Sequence, residues 1–307
     1  MKLYMKTPLI DMLNISNQDH SFKVKMEAYQ PSGSFKLRGM DTLCRYAIAH
    51  GATHLVSSSG GNAGLSAAYV GRKLGVKVTV VVPSTTASFI LDRLRLEGAE
   101  AIVHGDVWDE ADKYALDLAS KPDAAYIPPF DNEKLWEGHS TLVDELKEQC
   151  SEQPDMIILS VGGGGLMCGV MQGLIRNGWT DTTILAVETE GSASLYAAYK
   201  ANKLVTIDGI NTIATSLGAK RVSATALEYV QKYKIIPYTV NDTSTAHACI
   251  RFANEYRTLI EPACGASVSV AYDQPDIIKK YKNIIVVACG GAIVNLDKID
   301  GWKKQFE

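Results

Sequence analysis

The 307-residue sequence lacks the patterns that mark a membrane span, a zinc site or a disulfide scaffold. No run of 18 apolar residues occurs, which is the length that a membrane span would need. The six cysteines form no C-x-x-C pair and the six histidines no H-E-x-x-H, so neither a structural zinc site nor a disulfide framework is expected. Free thiols of this kind suit a reducing compartment.

Charge of either sign is also scarce. Charged residues make up 21% of the chain and the net charge is −3, which gives no electrostatic reason to expect binding to nucleic acid or to an anionic membrane. The first eight residues lack the apolar centre of a signal peptide, so we expect a cytoplasmic protein. With 46% hydrophobic residues, the chain is long enough to bury a large core.

Strand-like apolar runs alternate with amphipathic stretches along the chain, and this alternation predicts parallel βαβ units of an α/β fold. Gly98 is predicted to end one of the helices, and residues 83–86 to form a strand exit with a helix N-cap. The paired runs are 77–82 with 88–97, 99–103 with 108–119, 183–187 with 194–201, and 235–240 with 243–256.

Lys36 lies in the segment Pro-Ser-Gly-Ser-Phe-Lys-Leu-Arg-Gly, residues 31–39. The preceding aromatic residue, Phe35, can hold the amine of the lysine against a flat cofactor ring. A lysine that is partly desolvated has a lowered pKa and can form a Schiff base. Most lysines are solvated surface charges, so the interpretation depends on the other motifs.

Two further motifs connect a predicted strand to the start of a helix. In the first, residues 57–64 read Ser-Ser-Ser-Gly-Gly-Asn-Ala-Gly, and the free N–H groups of the following helix start would attract a carboxylate. In the second, the four glycines 162–165 follow the apolar run 156–161. Glycines allow several N–H groups to converge on a phosphate. The segment matches neither of the glycine motifs that bind nucleotides, G-x-x-x-x-G-K-S/T and G-x-G-x-x-G. A small phosphorylated cofactor is therefore favoured over a nucleotide.

A fourth motif is the apolar run 284–288, which ends at Cys289, Gly290 and Gly291. In isolation, Cys289 is best interpreted as a buried core thiol. Together with the three other motifs, however, this run resembles the serine/threonine dehydratases, which use pyridoxal phosphate and share the fold of the tryptophan synthase β chain. The resemblance extends from Thr7 to the C-terminal glycine pair and includes Glu-Pro-Ala-Cys-Gly-Ala at 261–266.

The resemblance implies a two-lobed α/β protein of fold type II, with three-layer sandwiches around parallel sheets. Residues 1–34 and 136–307 would form a large cofactor-binding domain, and residues 35–135 a small domain that carries the carboxylate loop. Active-site residues would come from both domains, so that closure on the substrate assembles the site. It also implies a homodimer that acts in amino-acid catabolism and gluconeogenesis.

The resemblance further implies residue roles. Lys36 would carry the cofactor aldehyde and act as general base, with Ser59 as a second catalytic residue. The cofactor would be bound by Phe35, Lys36, Asn62, Gly162, Gly163, Gly164, Gly165, Leu166, Cys289 and Gly290. The substrate carboxylate would be bound by Ser59, Gly60, Gly61, Asn62 and Ala63. Some relatives carry alanine in place of Gly60, a difference that bears on turnover and substrate preference.

The resemblance also places a monovalent cation, such as potassium, at five positions: Gly162, Glu188, Ser192, Leu217 and Ala219. A surface role for Glu188 is the alternative. His139 is interpreted as a satisfied residue at a helix start, and Asp109, Glu110 and Asp112 as a solvated helix face. Residues 126–130 are interpreted as a strand exit that could border the active site.

The predicted activity is elimination of ammonia from L-serine, and from L-threonine, to give an α-keto acid. A thiol with an ordinary pKa of about 8.5, facing the pyridine nitrogen, stabilises its charge weakly. Elimination tolerates this because departure of the β-hydroxyl discharges the carbanion. Three alternatives stay open: a racemase with Ser59 as second base, a β-replacing synthase, and a non-catalytic scaffold. Gln30-Pro31 and Leu37-Arg38 disfavour the synthase.

Overall fold

A computed structural model describes residues 1–12 and 14–306. Its strands are β1 Leu9–Asp11, β2 Ser21–Lys25, β3 His54–Ser57, β4 Lys77–Val82, β5 Glu100–Val103, β6 Ala124–Tyr126, β7 Met156–Ser160, β8 Thr183–Thr189, β9 Ile235–Val240 and β10 Asn283–Val287. Its α-helices are α1 Lys36–Ala49, α2 Asn62–Leu74, α3 Ser88–Leu96, α4 Trp108–Ala119, α5 Glu133–Gln149, α6 Gly165–Arg176, α7 Ser194–Ala201, α8 Ala224–Lys232, α9 Asp242–Tyr256, α10 Pro262–Asp273 and α11 Leu296–Phe306.

The chain divides into two compact units. The first comprises Met1–Met5 and Gln30–His139, and its four strands form a parallel sheet in the order β5-β4-β3-β6. Helix α4 packs on this sheet, since Ala111 and Ala115 are buried against Val56 of β3 and Val81 of β4. Because the strands are parallel, the segments that leave β3 and β6 emerge at one edge of the sheet.

The second unit comprises Lys6–Tyr29 and Ser140–Glu307. Its sheet has the order β1-β2-β10-β7-β8-β9, in which only the β1–β2 pair is antiparallel. Every residue of β7 and β8 is buried, as expected for central strands of a parallel sheet. Lys25 is fully buried, and its amine donates to Glu145 Oε2 at 2.6 Å and to the Thr7 carbonyl at 2.8 Å. Helix α10 packs on β7, β8 and β10.

The predicted alternation of strands and helices is confirmed. Strand β4 and helix α4 have the predicted bounds, and Gly98 follows α3 with φ of +78°. The predicted N-cap within residues 83–86 is wrong, because the N-cap of α3 is Ala87, which has no capping side chain. Across residues 1–12 and 14–306, none of the helices combines the length and the apolar character that crossing a membrane requires.

Candidate active site

Lys36 is the first residue of α1, and it lies in the first unit. Its amine donates to the Pro129 carbonyl at 2.5 Å and lies 5.2 Å from the centre of the Phe35 ring. The side chain is half-buried. Residues 128–130, which follow β6, therefore border the candidate reactive amine. The sequence interpretation of this stretch as a strand exit is confirmed, and its contact with Lys36 is added.

His139 contacts the ring of Phe35, the residue next to Lys36. The imidazole is fully buried within α5, and neither ring nitrogen has a hydrogen-bond partner among the described residues. Burial, and then the charges of Lys36 and Arg38, hold the pKa of His139 well below its usual range. The prediction of a satisfied histidine at a helix start is wrong, because α5 begins at Glu133 and the ring is unpartnered.

The predicted carboxylate loop connects β3 to α2 in the same unit. Gly61 is the N-cap of α2, and no capping side chain occupies this helix start within the described residues. The N–H groups of the first turn have no acceptor within their own helix and lie at the positive end of its dipole. Such a turn can bind a carboxylate.

Two contacts fix the shape of this loop. Ser59 Oγ accepts a hydrogen bond from the Gly61 N–H at 3.3 Å. A Cβ atom at Gly64 would lie 1.8 Å from the Ser59 carbonyl oxygen, so only glycine allows the loop to fold back on α2 here. In addition, Ser32 Oγ hydrogen-bonds Ser66 Oγ of α2 at 2.8 Å. This bond connects the segment before Lys36 to the helix that follows the loop.

The four glycines 162–165, called the glycine turn below, lie in the second unit, between β7 and α6. Gly164 is the N-cap of α6 and has φ of +96°, where an L side chain is strained. A Cβ atom at this position would lie 2.6 Å from Ala226 Cβ, and one at Gly162 would lie 3.1 Å from Leu217 Cα. Close packing and the positive φ therefore both disfavour a side chain at Gly164, whereas a side chain at Gly162 would require the Leu217 backbone to move by a few tenths of an ångström. The start of α6 has no side-chain cap within the described part of the chain, and its N–H donors suit a phosphate dianion.

Cys289 follows β10 and is 5% exposed. A hydrogen bond with Cys264 of α10, followed by burial, holds the pKa of the Cys289 thiol well above its usual range. The thiol is therefore neutral at physiological pH. A neutral thiol can donate a hydrogen bond to a pyridine nitrogen, but it does not supply the negative charge of a carboxylate. The sequence did not indicate Cys264 as its partner.

Glu188 is fully buried at the end of β8, so a surface role for this residue is wrong. Its two carboxyl oxygens accept hydrogen bonds from the N–H groups of Leu195 and Tyr196, both at 2.8 Å, at the start of α7. Burial nevertheless raises its pKa to about 8, because it outweighs these bonds. Ser192 lies between β8 and α7, and its hydroxyl pairs with Thr189 Oγ1 at 2.8 Å.

Two other predicted cation ligands lie near the glycine turn. The close approach of Gly162 to Leu217 places these two residues side by side. The Ala219 N–H donates to the Leu217 carbonyl at 2.8 Å, within a tight turn. The described residues contain no group of His, Cys, Asp or Glu side chains that could hold a metal ion. A cation here would therefore depend on backbone carbonyls and on Glu188.

Sequence reasoning missed one part of the first unit. Asp112 does not belong to a solvated helix face: it accepts a hydrogen bond from the Tyr126 hydroxyl. Glu110 is also engaged, because its Oε2 accepts from the Asp106 N–H at 2.7 Å. The spacing of Trp108 and Asp112, four residues apart on one helix, was the available signal that both belong to one face.

The comparisons with known proteins agree with these motifs. The sequence profile of the pyridoxal-phosphate dependent enzymes matches residues 1–290, so the chain belongs to this family. It is 42% identical to the L-serine dehydratase/L-threonine deaminase of Homo sapiens over 316 residues, which cover 99% of this chain and 96% of that protein. It is 41% identical to the L-serine dehydratase of Dictyostelium discoideum, with coverages of 94% and 88%.

The solved structures show the same fold. A fungal L-serine ammonia-lyase from Rhizomucor miehei matches with a TM-score of 0.95 and 36% identity, over 100% of both chains. The predicted fold class, the α/β type II fold of pyridoxal-phosphate enzymes, is therefore confirmed. Considered separately within each unit, the chemistry of these groups suits this cofactor: a half-buried amine can react with an aldehyde, uncapped helix N–H groups suit a phosphate, and a neutral thiol suits a pyridine nitrogen.

Proposed function

We propose that this protein is a pyridoxal-phosphate dependent L-serine and L-threonine ammonia-lyase, which forms pyruvate or 2-oxobutanoate and ammonia. The observation that carries the proposal is the Lys36 amine, held beside the Phe35 ring and at the Pro129 carbonyl, in a chain that matches serine dehydratases over nearly its full length. The neutral Cys289 thiol supports elimination as the reaction type.

The proposed roles in the first unit are those of Lys36 and of the loop before α2. Lys36 Nζ would hold the aldehyde of the cofactor, and as a free amine it would accept the α-proton of the substrate. Pyridoxal phosphate, when bound, supplies the electron sink for the pair left on the α-carbon. The first turn of α2, with Ser59, Gly60, Gly61, Asn62 and Ala63, would bind the substrate carboxylate, and Asn62 would also bond the 3′-oxygen of the cofactor.

The second unit supplies the remaining cofactor contacts. The N–H groups of Gly162, Gly163, Gly164, Gly165 and Leu166 would bind the phosphate at the start of α6, and Cys289, followed by Gly290, would hold the ring nitrogen. Because the thiol stays neutral, it does not hold a full positive charge on that nitrogen. Elimination expels the β-hydroxyl and needs no such stabilisation, whereas transamination does.

We further propose that potassium binds beside the glycine turn, with Glu188 and the carbonyls of Gly162, Ser192, Leu217 and Ala219 as ligands. The buried carboxyl of Glu188, with a pKa of about 8, supports this because a bound cation would lower that pKa and satisfy its charge. A cytoplasmic location, a homodimer and a role in amino-acid catabolism and gluconeogenesis complete the proposal.

The decisive experiment is a coupled keto-acid assay with L-serine, L-threonine and their D-enantiomers, with and without potassium. Keto acid from the L-substrates is expected. Formation of D-serine without pyruvate would instead identify a racemase. Lys36→Ala should lower the rate about 10²- to 10⁴-fold, the range for loss of a general base, and Lys73→Ala, an exposed lysine of α2, serves as the matched control. Unchanged turnover of Lys36→Ala would refute the assigned base.

A further inference from the structure

Ser58, the residue of the loop just before the proposed carboxylate-binding residues 59–63, is held at two of its atoms. Its carbonyl oxygen accepts a hydrogen bond from Trp108 Nε1 at 3.1 Å. Its hydroxyl lies 3.0 Å from the Tyr126 hydroxyl, and Tyr126 in turn donates to Asp112 Oδ1. Ser58 itself is fully buried. Main chain and side chain of this residue are therefore both fixed.

The direction of these hydrogen bonds follows from the number of hydrogens. Tyr126 has a single hydroxyl hydrogen, which it donates to the Asp112 carboxylate, so Ser58 must donate to Tyr126. The bonds therefore run in one direction, from Ser58 through Tyr126 to Asp112. Burial, and then the bond to Asp112, keep the pKa of Tyr126 above its ordinary value, so the phenol stays protonated.

Helix α4 supplies the rigid support for this arrangement. Trp108 and Asp112 lie one turn apart and share a face of the helix. Between them, Ala111 is buried against β3 and β4. Val56 of β3 is in register with Tyr126 of β6, so Ser58 and the Tyr126 side chain meet at the carboxyl edge of the sheet. The Trp108 ring remains 45% exposed, and its one polar atom is the atom that contacts the loop.

We propose that Trp108, Asp112 and Tyr126 are positioning residues that set the affinity of the loop for the substrate carboxylate. The inference rests on the proposed function, which assigns the carboxylate to residues 59–63. Those residues follow Ser58 directly, so the position of Ser58 determines where their N–H groups point. Small displacements of binding groups lower affinity and rate strongly. The three side chains act on the substrate only through Ser58.

The test separates carboxylate binding from general damage by using two ligands that cannot lose a β-hydroxyl. L-Alanine has the carboxylate, and L-alaninamide lacks it. Their dissociation constants are measured from the change in cofactor absorbance of the holoenzyme. Tyr126→Phe should weaken L-alanine binding about 5- to 20-fold, the range for losing a hydrogen bond to a buried polar partner, and should leave L-alaninamide unchanged. The KM for L-serine should rise more than kcat falls.

Two substitutions of Asp112 test whether its hydrogen bond from Tyr126 is the property that matters. Asp112→Asn keeps an oxygen that accepts from Tyr126 and should bind L-alanine almost as the unmodified protein does, whereas Asp112→Ala should resemble Tyr126→Phe. Asp117→Ala, an exposed residue of the same helix, is the control. Hydrogen exchange of residues 59–63 in cofactor-free protein should be faster in Tyr126→Phe than in this control.

Equal weakening of both ligands, or unchanged affinity together with unchanged exchange, would overturn the positioning role. If the unmodified protein neither forms keto acid nor changes its absorbance with L-alanine, the proposed function fails instead. The exchange comparison does not depend on that outcome, and it decides by itself whether the loop is held by these side chains.

Discussion

The rings of His139 and Phe35 meet edge to face, with their centroids 4.8 Å apart and their planes at 61°. Both ring nitrogens of His139 lack hydrogen-bond partners within the described residues, so the imidazole packs here as an apolar ring. A Cβ atom at Gly39 would lie 2.4 Å from its Cε1 atom, which shows how closely α1 approaches it. His139 therefore supports the aromatic residue next to the candidate reactive amine of Lys36.

This arrangement predicts sensitivity to acid. Because the pKa of His139 is lowered in the folded protein, the unfolded chain binds a proton that the folded chain does not. The free energy of unfolding should then fall as pH drops below about 6.5, by up to about 1.4 kcal/mol per pH unit for this group. His139→Leu should flatten that acid limb, measured by urea unfolding between pH 7 and pH 5.

The matched control is His50→Leu, because His50 is an exposed histidine at the end of α1. It should leave the acid limb as steep as in the unmodified protein. An unchanged slope in His139→Leu would show that the buried imidazole takes up its proton without unfolding.

Adding one methyl group to the glycine turn should strongly lower the stability of the protein. Gly164→Ala should lower the free energy of unfolding by about 2–4 kcal/mol, since left-handed strain and overpacking against Ala226 add together. Gly178→Ala is the control for strain alone, because its φ is +70° and no atom lies within 4 Å of the added Cβ. It should lose only about 1–2 kcal/mol. Denaturant unfolding measures both, and equal losses would contradict the packing argument.

Glu188 predicts a decline of stability towards alkaline pH. A carboxyl whose pKa rises from 4.5 to about 8 on folding binds its proton more tightly in the folded state. The free energy of unfolding should therefore fall as pH increases from about 4.5 to about 8. Glu188→Gln should remove this decline, measured by denaturant unfolding across this pH range.

The proposed cation site predicts a salt effect near pH 8. Potassium chloride should restore stability there, whereas choline chloride at equal ionic strength should not. Equal effects of the two salts would exclude a specific cation site.

Cys289 predicts weaker cofactor retention when its thiol is removed. Cys289→Ala should raise the dissociation constant of pyridoxal phosphate about 2- to 10-fold, as expected for one hydrogen bond, and lower turnover with the circular dichroism spectrum unchanged. Cys150→Ala, a half-buried cysteine of the same unit, is the control. Identical affinity in the two variants would remove the thiol from the cofactor site.

Local patterns were sufficient to predict most elements of the fold. Apolar alternation and flanking glycines located β4, α4 and α7 at their observed bounds. The burial of Glu188 was not predicted, although it continues the run 183–187 into the fully buried strand β8. The sequence left a surface role open as an alternative to a cation ligand, because the N–H groups of α7 that bind the carboxyl become evident only in the folded chain.

Contacts between distant segments were the part that sequence reasoning could not supply. Asp112 looked like a solvated residue because its helix neighbours are charged, yet it meets Tyr126 once β6 pairs with β3. The same holds for Cys264 and Cys289, which are 25 positions apart (289 minus 264) and come together where α10 packs on β10. Periodicity reports which face of an element is apolar and not which residue lies opposite.

The hydrogen bond from Lys36 to Pro129 ends on the main chain rather than on a side chain. Alanine scanning of residues 128–130 therefore removes side chains and keeps the acceptor group itself. Only a change that moves the peptide group itself, such as a deletion or a backbone ester, would expose how much the amine depends on it.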